Sequence, residues 1–262
     1  MTEPKGAFAE LARVMPGLAK WPRVVAFAER ALGIVAVREW FRQAAGAANP
    51  FAEVARLAQI DLACDGAEHL PENGAAVVVA NHPFGGPDAL AVAAMALEKR
   101  PDVVSLANDE LIRLPGVAPY FLAVNLLGKD AVAQRRTNAR AFRKLIAHVK
   151  GGGCVIIFPA GQVADWRGDR LQDPPWSPHI TVLLQRLEVP VIPIKVTGAL
   201  PIWISIVGSF GATLRRALIP RGMVSMRGRQ VQLTVGKAFS MADLAPEVEK
   251  ATAQLRAAVE RL

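Results

Sequence analysis

Cysteine, aromatic side chains and acidic side chains are all scarce in this 262-residue chain. Two cysteines and an aromatic content of 6% do not fit a small domain held together by disulfides, and we expect Cys64 and Cys154 to be reduced thiols in a core. A hydrophobic fraction of 52% excludes a disordered chain. The length suits one large α/β domain, with or without a small helical appendage.

Long apolar runs are also missing. No stretch reaches the roughly 20 residues that a membrane-spanning helix needs. The nearest candidate, residues 189–208, contains three prolines and Lys195, which indicates a strand, a turn and a further apolar segment. The N-terminal sequence lacks the basic-then-apolar order of a signal peptide. Any contact of this chain with a membrane is therefore expected to be peripheral.

Acidic residues are absent between residues 189 and 242, although this stretch carries seven lysines and arginines. The whole chain has 31 basic and 23 acidic side chains, for a net charge of +8. Such a surface attracts anionic lipid headgroups or nucleic acid, and a solvated surface without a partner is an alternative interpretation. We predict no nucleic-acid partner, because few aromatic residues accompany the arginines and no nucleic-acid motif is present.

Strands and helices alternate along the chain. Short runs rich in valine and isoleucine predict buried strands at residues 75–82, 101–108, 154–161, 189–198 and 231–239. Amphipathic segments predict helices at residues 50–59, 88–100 and 135–152. Ser240 and Asp243 are capping residues and predict the start of a last helix that ends at about residue 262. This alternation predicts an α/β fold with a mixed, largely parallel sheet flanked by helices.

The spacing of apolar residues in the N-terminal region, residues 4–46, predicts two or three amphipathic helices that are interrupted by prolines. Trp21, Trp40 and Phe41 lie beside basic residues, a mixture that suits a membrane headgroup interface. Packing against the remainder of the protein explains the same pattern equally well. We divide the chain into an N-terminal helical, membrane-facing segment of residues 1–68 and a main α/β domain of residues 69–262.

The most informative segment is VVVANHPFGGPD, residues 77–88. His82 stands at the tip of a predicted strand, and Asp88 follows a Gly/Pro turn at the start of the next helix. Ligands bind at such strand tips in open α/β sheets. An imidazole that a carboxylate orients is what a general base requires. In the alternative interpretation His82 merely ends the strand and Asp88 caps the helix.

Three motifs follow one another along the chain: NHPFGGPD, FPAGQV and VPVIPIKVTG, at residues 81–88, 158–163 and 189–198. This ordered set resembles the glycerol-phosphate and lysolipid acyltransferase family. DPPWSP at residues 173–178 and the stretch 226–239 are similar to its hemolysin-like branch, which includes the acyltransferases of ornithine-type lipids. The resemblance covers roughly residues 70–239.

The resemblance implies a reaction and its partners. An acyl group would pass from an acyl carrier protein or coenzyme A thioester to the hydroxyl of a lysolipid, with lyso-ornithine lipid or a similar lyso-aminolipid as the favoured acceptor. Neither a metal nor a cofactor beyond that co-substrate is expected. The implied location is an anionic membrane surface at the cytoplasmic face of the inner membrane. The alternatives are synthesis of phosphatidic acid from 1-acyl-glycerol-3-phosphate and a non-catalytic lipid-binding role.

The resemblance also implies roles for individual residues. His82 would be the general base and Asp88 its orienting partner. An arginine would bind the acceptor's phosphate or carboxylate, because a guanidinium group donates to two oxygens at once; a solvated helix face is the alternative for each arginine. The predicted substrate contacts are Asn81, Phe84, Gly85, Arg135, Arg136, Arg140, Phe158, Pro159 and Gly161.

Two features depart from the family pattern. Five residues instead of the usual four separate His82 from Asp88, and the pair Gly85-Gly86 could absorb the additional one. Ala160 stands where the family commonly has an acidic residue. Both departures favour an acceptor other than that of the glycerol-3-phosphate enzymes.

The remaining polar candidates carry less weight. Aspartates at residues 165, 169 and 173 recur every four positions, but Gly168 and the two prolines after Asp173 predict a loop. We interpret this loop as solvated, with a polar substrate lid as the alternative. His69, His148 and His179 lack the spacing of metal ligands, and we predict structural roles for them.

Overall fold

The protein is built around a seven-stranded sheet. Its computed structural model describes residues 21–109, 111–125, 130–167, 170–198 and 217–262. The strands are β1 (Asp61–Asp65), β2 (Ala76–Ala80), β3 (Val103–Asn108), β4 (Phe121–Val124), β5 (Cys154–Ile157), β6 (Asp165–Arg167), β7 (Arg170–Gln172), β8 (Val191–Gly198) and β9 (Gln230–Val235). The helices are α1 (Pro22–Ala31), α2 (Ile34–Ala44), α3 (Pro50–Ala58), α4 (Gly86–Lys99), α5 (Ala131–Lys150), α6 (Pro178–Leu187), α7 (Ile219–Ser225) and α8 (Val248–Glu260). Single 3-10 turns occur at Ala67–His69, Leu111–Arg113, Ala118–Tyr120 and Met241–Asp243.

The sheet has the strand order β1-β9-β8-β2-β5-β3-β4. Neighbouring strands from β8 to β4 are parallel, and only β8 and β9 meet in an antiparallel pair. Strand β2 lies at the centre and is buried along its whole length. Its uniformly apolar sequence follows from this position, because a parallel strand covered on both faces has no solvated side. The strands β6 and β7 form a separate two-stranded hairpin.

Helices cover both faces of the sheet. Helices α2, α3, α4 and α7 share one core with alternate β2 residues such as Val78, and we call them the front layer. Helices α5, α6 and α8 share a second core with the intervening residues Val77 and Val79, and they form the back layer. The period of two along a strand thus divides β2 between the two cores.

The predicted fold class is confirmed, and each of the five predicted strands is present. The predicted boundary at residue 68 is not supported by the packing. Strand β1 pairs with β9 within the main sheet, and helices α2 and α3 bury side chains in the same core as α4. The last helix begins at Val248, because Ser240 and Asp243 cap only the short turn Met241–Asp243.

The two cysteines differ in their surroundings. Cys154 is buried in the centre of the sheet, and desolvation raises the pKa of its thiol to about 12. Cys64 is exposed on the edge strand β1, so the expectation of a core thiol is wrong at this position.

The N-terminal aromatic residues separate into two groups. Phe41 is buried and Trp40 packs against the front core, as the packing interpretation requires. Trp21 and Phe27 of the α1 region are 65% and 74% exposed, and Val24 between them is also exposed. None of the helices that the structure describes is long and apolar enough to cross a membrane.

Candidate active site

The candidate site lies at the carboxyl edge of the sheet, where the adjacent parallel strands β2 and β5 end. Because parallel neighbours end at the same edge, His82 after β2 and Phe158 after β5 are brought together. Their ring centroids are 4.4 Å apart, with an angle of 32° between the planes. The apolar phenyl ring thus covers one side of the imidazole.

Asp88 is the fully buried partner of His82. It occupies the first turn of α4, where the positive end of the helix dipole favours a carboxylate. The amide N–H groups of Phe84 and Gly85 donate to its Oδ2 over 2.8 and 3.1 Å, and that of Ala89 donates to its Oδ1 over 2.8 Å. These three donors satisfy the buried carboxylate and fix its orientation.

The imidazole of His82 faces this carboxylate through Nδ1, which lies 3.1 Å from Oδ1 of Asp88. The distance is that of a hydrogen bond, but the direction is not, so Nδ1 makes no well-aligned bond. A proton on Nδ1 facing Asp88 leaves the lone pair on Nε2. Within the described residues Nε2 forms no hydrogen bond, and the side chain stays 17% exposed. This arrangement leaves one nitrogen accessible to act as a base.

The glycine at position 85 accommodates the additional residue between His82 and Asp88. Its φ of 85° and ψ of −107° belong to backbone that side chains with a Cβ rarely adopt. This turn directs the chain from the tip of β2 into α4, so that both N–H groups before the helix point at Asp88. The N–H of Gly85, a residue predicted to contact the substrate, donates to Asp88 within the protein.

Opposing effects act on the pKa of His82. Desolvation by burial is the largest single effect and lowers it, whereas the negative charge of Asp88, the short polar contact between its Oδ1 and Nδ1 of His82, and the charge of Asp173 raise it. The three raising effects prevail, and the pKa of His82 lies above its ordinary value of 6.5. The carboxylates therefore stabilise the protonated imidazole that forms when the base takes a proton.

Asp173 is a functional candidate that the loop-like composition around it did not indicate. Its side chain is only 7% exposed, so the interpretation of a solvated loop is wrong for this residue. Both of its carboxylate oxygens accept from the backbone N–H of His82, over 3.0 and 3.2 Å, and Oδ2 also accepts from the indole N–H of Trp176 over 3.0 Å. Burial raises the pKa of Asp173, and the His82 and Trp176 donors oppose that effect.

The backbone of His82 is thereby held from both sides by one segment of chain. Its N–H donates to Asp173, and its carbonyl oxygen accepts from the N–H of Ala164 over 2.8 Å. The motif DPPWSP was the available signal, because it places Asp173 and Trp176 three residues apart. Sequence periodicity could not show that this pair turns inwards.

Two predicted substrate contacts have internal partners instead. The side-chain oxygen of Asn81 accepts from the N–H of Val196 over 2.7 Å, and its nitrogen donates to the carbonyl of Val196 over 2.9 Å. This amide therefore ties the end of β2 to β8. Phe84 is buried within the front core, so its ring is not available to a substrate. For these two side chains the prediction of a substrate contact is not supported.

The motif FPAG forms a tight turn beside His82. The N–H of Gly161 donates to the carbonyl of Phe158 over 2.9 Å, and the N–H of Ser177 donates to the carbonyl of Pro159 over 3.0 Å. Pro159 is buried and Gly161 is exposed. Phe158 packs against the imidazole, and the acceptor contacts of the other residues stay predictions.

The predicted arginines belong to helix α5, and their contacts with an acceptor stay predictions. Arg135, Arg136 and Arg140 are exposed on α5 in the back layer, whereas Asp88 belongs to the front layer. No ion pair or hydrogen bond joins them to His82 or Asp88 in the part of the chain that the structure describes. The middle of the acid-free stretch, residues 199–216, lies outside the described residues, so its basic and apolar side chains are not placed.

Known proteins resemble this chain in sequence and in fold. A profile of the family described as Acyltransferase matches residues 6–261. A lyso-glycine lipid O-acyltransferase of Phocaeicola vulgatus is 30% identical over 135 residues, which are 51% of this chain and 46% of that protein. One of Bacteroides thetaiotaomicron is 30% identical over 136 residues, 51% of this chain and 47% of that protein. The matches thus span about half the length of these curated relatives.

A solved structure shows the same fold. The 1-acyl-sn-glycerophosphate acyltransferase of Thermotoga maritima superposes with a TM-score of 0.52 at 20% sequence identity, over 80% of this chain and 74% of that one.

We expect the substitution Asp173→Asn to lower the pKa of His82, because it removes a negative charge that stabilises the imidazolium. Titration of the His82 imidazole by NMR measures this pKa in wild type and variant. Glu98→Gln, the same chemical change at an exposed position of α4, is the control and leaves the titration in place. An unchanged His82 titration in Asp173→Asn contradicts the role assigned to Asp173.

Proposed function

Because this chain belongs to the acyltransferase family, we propose that it transfers a fatty acyl group from a thioester to the hydroxyl of a lysolipid. The observation that carries the proposal is the pair of His82 and Asp88, 3.1 Å apart at the tip of the central strand. Phe158 against the imidazole and Asp173 behind its backbone support the same assignment. The names of the two relatives, both lyso-glycine lipid O-acyltransferases, agree with this reaction class.

The proposed chemistry needs one base and no covalent enzyme intermediate. Nε2 of His82 takes the proton of the acceptor hydroxyl while the oxygen attacks the thioester carbonyl carbon. The carbon–sulfur bond then breaks, and the imidazolium returns the proton to the departing sulfur. The products are an ester and a free thiol. Asp88 orients the ring and stabilises its positive charge between the two proton transfers.

We propose a lyso-aminolipid as the acceptor. The two relatives are named for a lysolipid with a glycine headgroup, and Ala160 leaves the FPAG turn without an acidic side chain. The family commonly has a carboxylate at this position, and its loss is a departure from the glycerol-3-phosphate enzymes that supports a different lysolipid. Lyso-glycine lipid and lyso-ornithine lipid both belong to this class.

Lysophosphatidate is the second candidate acceptor. The fold shared with a 1-acyl-sn-glycerophosphate acyltransferase motivates it. A panel of lyso-glycine lipid, lyso-ornithine lipid and lysophosphatidate, assayed with the same acyl donor, distinguishes the two classes by their kcat/KM values.

We further propose that α1 contacts the membrane from its surface. Trp21, Val24 and Phe27 are exposed at a spacing of three residues, and Arg23 and Arg30 are exposed on the same helix. Aromatic insertion together with attraction to anionic headgroups is how amphipathic helices bind a bilayer interface. We propose that this contact holds the reaction at the cytoplasmic face of the inner membrane.

We expect His82→Ala to reduce kcat for acyl transfer by about 10²- to 10⁴-fold, the usual contribution of a general base. Turnover of the best lysolipid of the panel is measured by mass spectrometry of the acylated product. The control is His179→Ala, which removes an exposed imidazole from α6 and leaves turnover unchanged. A His82→Ala enzyme with wild-type turnover rejects the proposed mechanism. Lipid binding without turnover by the wild type on every lysolipid indicates a non-catalytic role instead.

We expect Trp21→Ser combined with Phe27→Ser to weaken binding to anionic vesicles about ten-fold or more, because burying one such side chain contributes about 1.5–3 kcal/mol. Flotation with vesicles of phosphatidylglycerol and phosphatidylcholine measures the effect. Val132→Ser removes an apolar side chain that is 58% exposed on α5 in the back layer, and this control retains binding. Equal losses in both variants refute α1 as the contact.

A further inference from the structure

Helix α5 carries an unbalanced positive charge. Its 20 residues include six lysines and arginines and no acidic residue. All six are exposed, and none of them forms an ion pair within the described residues. These cations, which we call the basic face of α5, are Arg135, Arg136, Arg140, Arg143, Lys144 and Lys150.

The charge of this face does not help the helix to form. Arg136, Arg140 and Lys144 follow one another at intervals of four, and like charges at that spacing destabilise a helix by about 0.2–0.5 kcal/mol per pair. Helix α5 is stabilised by the buried side chains on its other side, including Leu145 and Val149. The basic face therefore has no structural task in the described part of the chain and is available to a negatively charged partner.

An apolar cleft adjoins the basic face. It lies between α5 and the edge strand β4 and has a volume of about 430 Å³. Ile112, Phe121 and Leu122 provide its apolar wall, and Arg140 and Lys144 belong to its α5 side. The surface thus combines an apolar groove with cations along one border, which is the complement of an amphipathic acidic helix.

The position of this surface argues against the membrane as its partner. Helix α5 belongs to the back layer, whereas the exposed aromatic residues belong to α1, which packs on α2 of the front layer on the other side of the sheet. A membrane bound through Trp21 and Phe27 therefore leaves the basic face of α5 directed towards a soluble partner.

We propose that the basic face of α5 and the cleft beside β4 dock an acidic amphipathic helix of a carrier protein that delivers the acyl thioester. This proposal rests on the proposed function, and it selects a protein-bound donor over coenzyme A. The six cations extend over about 22 Å of helix, a length that suits a protein helix better than one small cofactor. Strand β4 lies about 14 Å from β2 across two intervening strands, so a long flexible arm must bring the thioester to His82.

The substitution Lys144→Glu tests the docking surface. We expect it to raise KM for an acyl carrier protein thioester about 10-fold or more, because it places like charges against each other at the contact. Turnover of the same acyl group on free pantetheine, which brings no protein, is expected to stay unchanged. Lys237→Glu is the matched control: it makes the same charge change at an exposed residue after β9, on the other side of β2 in the sheet.

Each other outcome overturns the proposal. Equal losses with both donors place Lys144 in the reaction itself, and no loss with either donor removes the docking surface. Reduced flotation with phosphatidylglycerol–phosphatidylcholine vesicles, at unchanged carrier affinity, assigns the face to the membrane. Carrier affinity is also measured directly by fluorescence anisotropy with labelled acyl carrier protein. Failure of the proposed function, with no turnover from any donor, is thereby distinguished from failure of docking.

Discussion

The site depends on a carboxylate that is buried but fully hydrogen-bonded. Burying Asp88 without donors would be costly, and the turn before α4 supplies two backbone N–H groups while the helix supplies a third. This constraint explains the local sequence. A residue with positive φ is needed at position 85, a helix must begin directly afterwards, and the preceding strand must end where His82 faces the carboxylate. Changing any of these would leave either the carboxylate unsatisfied or the imidazole without its partner.

The two faces of the sheet contribute different residues and surfaces around His82. The front layer contributes Asp88, the buried Phe84 and the helices next to the exposed aromatic residues of α1. The back layer contributes α5 with its basic face and α6, whose beginning lies beside Trp176. His82 stands at the boundary, because its strand supplies side chains to both cores. The proposed lipid acceptor and the proposed protein-bound donor would therefore approach the same nitrogen from different sides without competing for surface.

The sequence predicted the regular elements well where their pattern was strong. The uniformly apolar β2 and the Ala-rich α4 left little alternative, and their positions followed from the parallel arrangement. The short strand β4 was not predicted, because three of its four residues are half-buried and the strand lacks a distinctive period. The pair of His82 and Asp88 could be inferred from spacing and from the ordered motifs. Asp173 could not, because its role depends on a contact across 91 positions of chain and on a loop composition that usually indicates solvent exposure.

The two hydrogen bonds that hold the His82 backbone, from its N–H to Asp173 and from Ala164 to its carbonyl oxygen, also determine when the site forms during folding. His82 and Asp88 are six residues apart and can meet as soon as β2 and α4 form, whereas Asp173 and Ala164 belong to the second half of the chain. Long-range contacts of this kind form late, because the intervening chain must first lose its freedom. A growing chain that ends before residue 164 holds the base and its carboxylate but lacks both hydrogen bonds that hold the His82 backbone. Competence for chemistry is therefore a property of the completed domain, and it is withheld from partly synthesised or truncated chains.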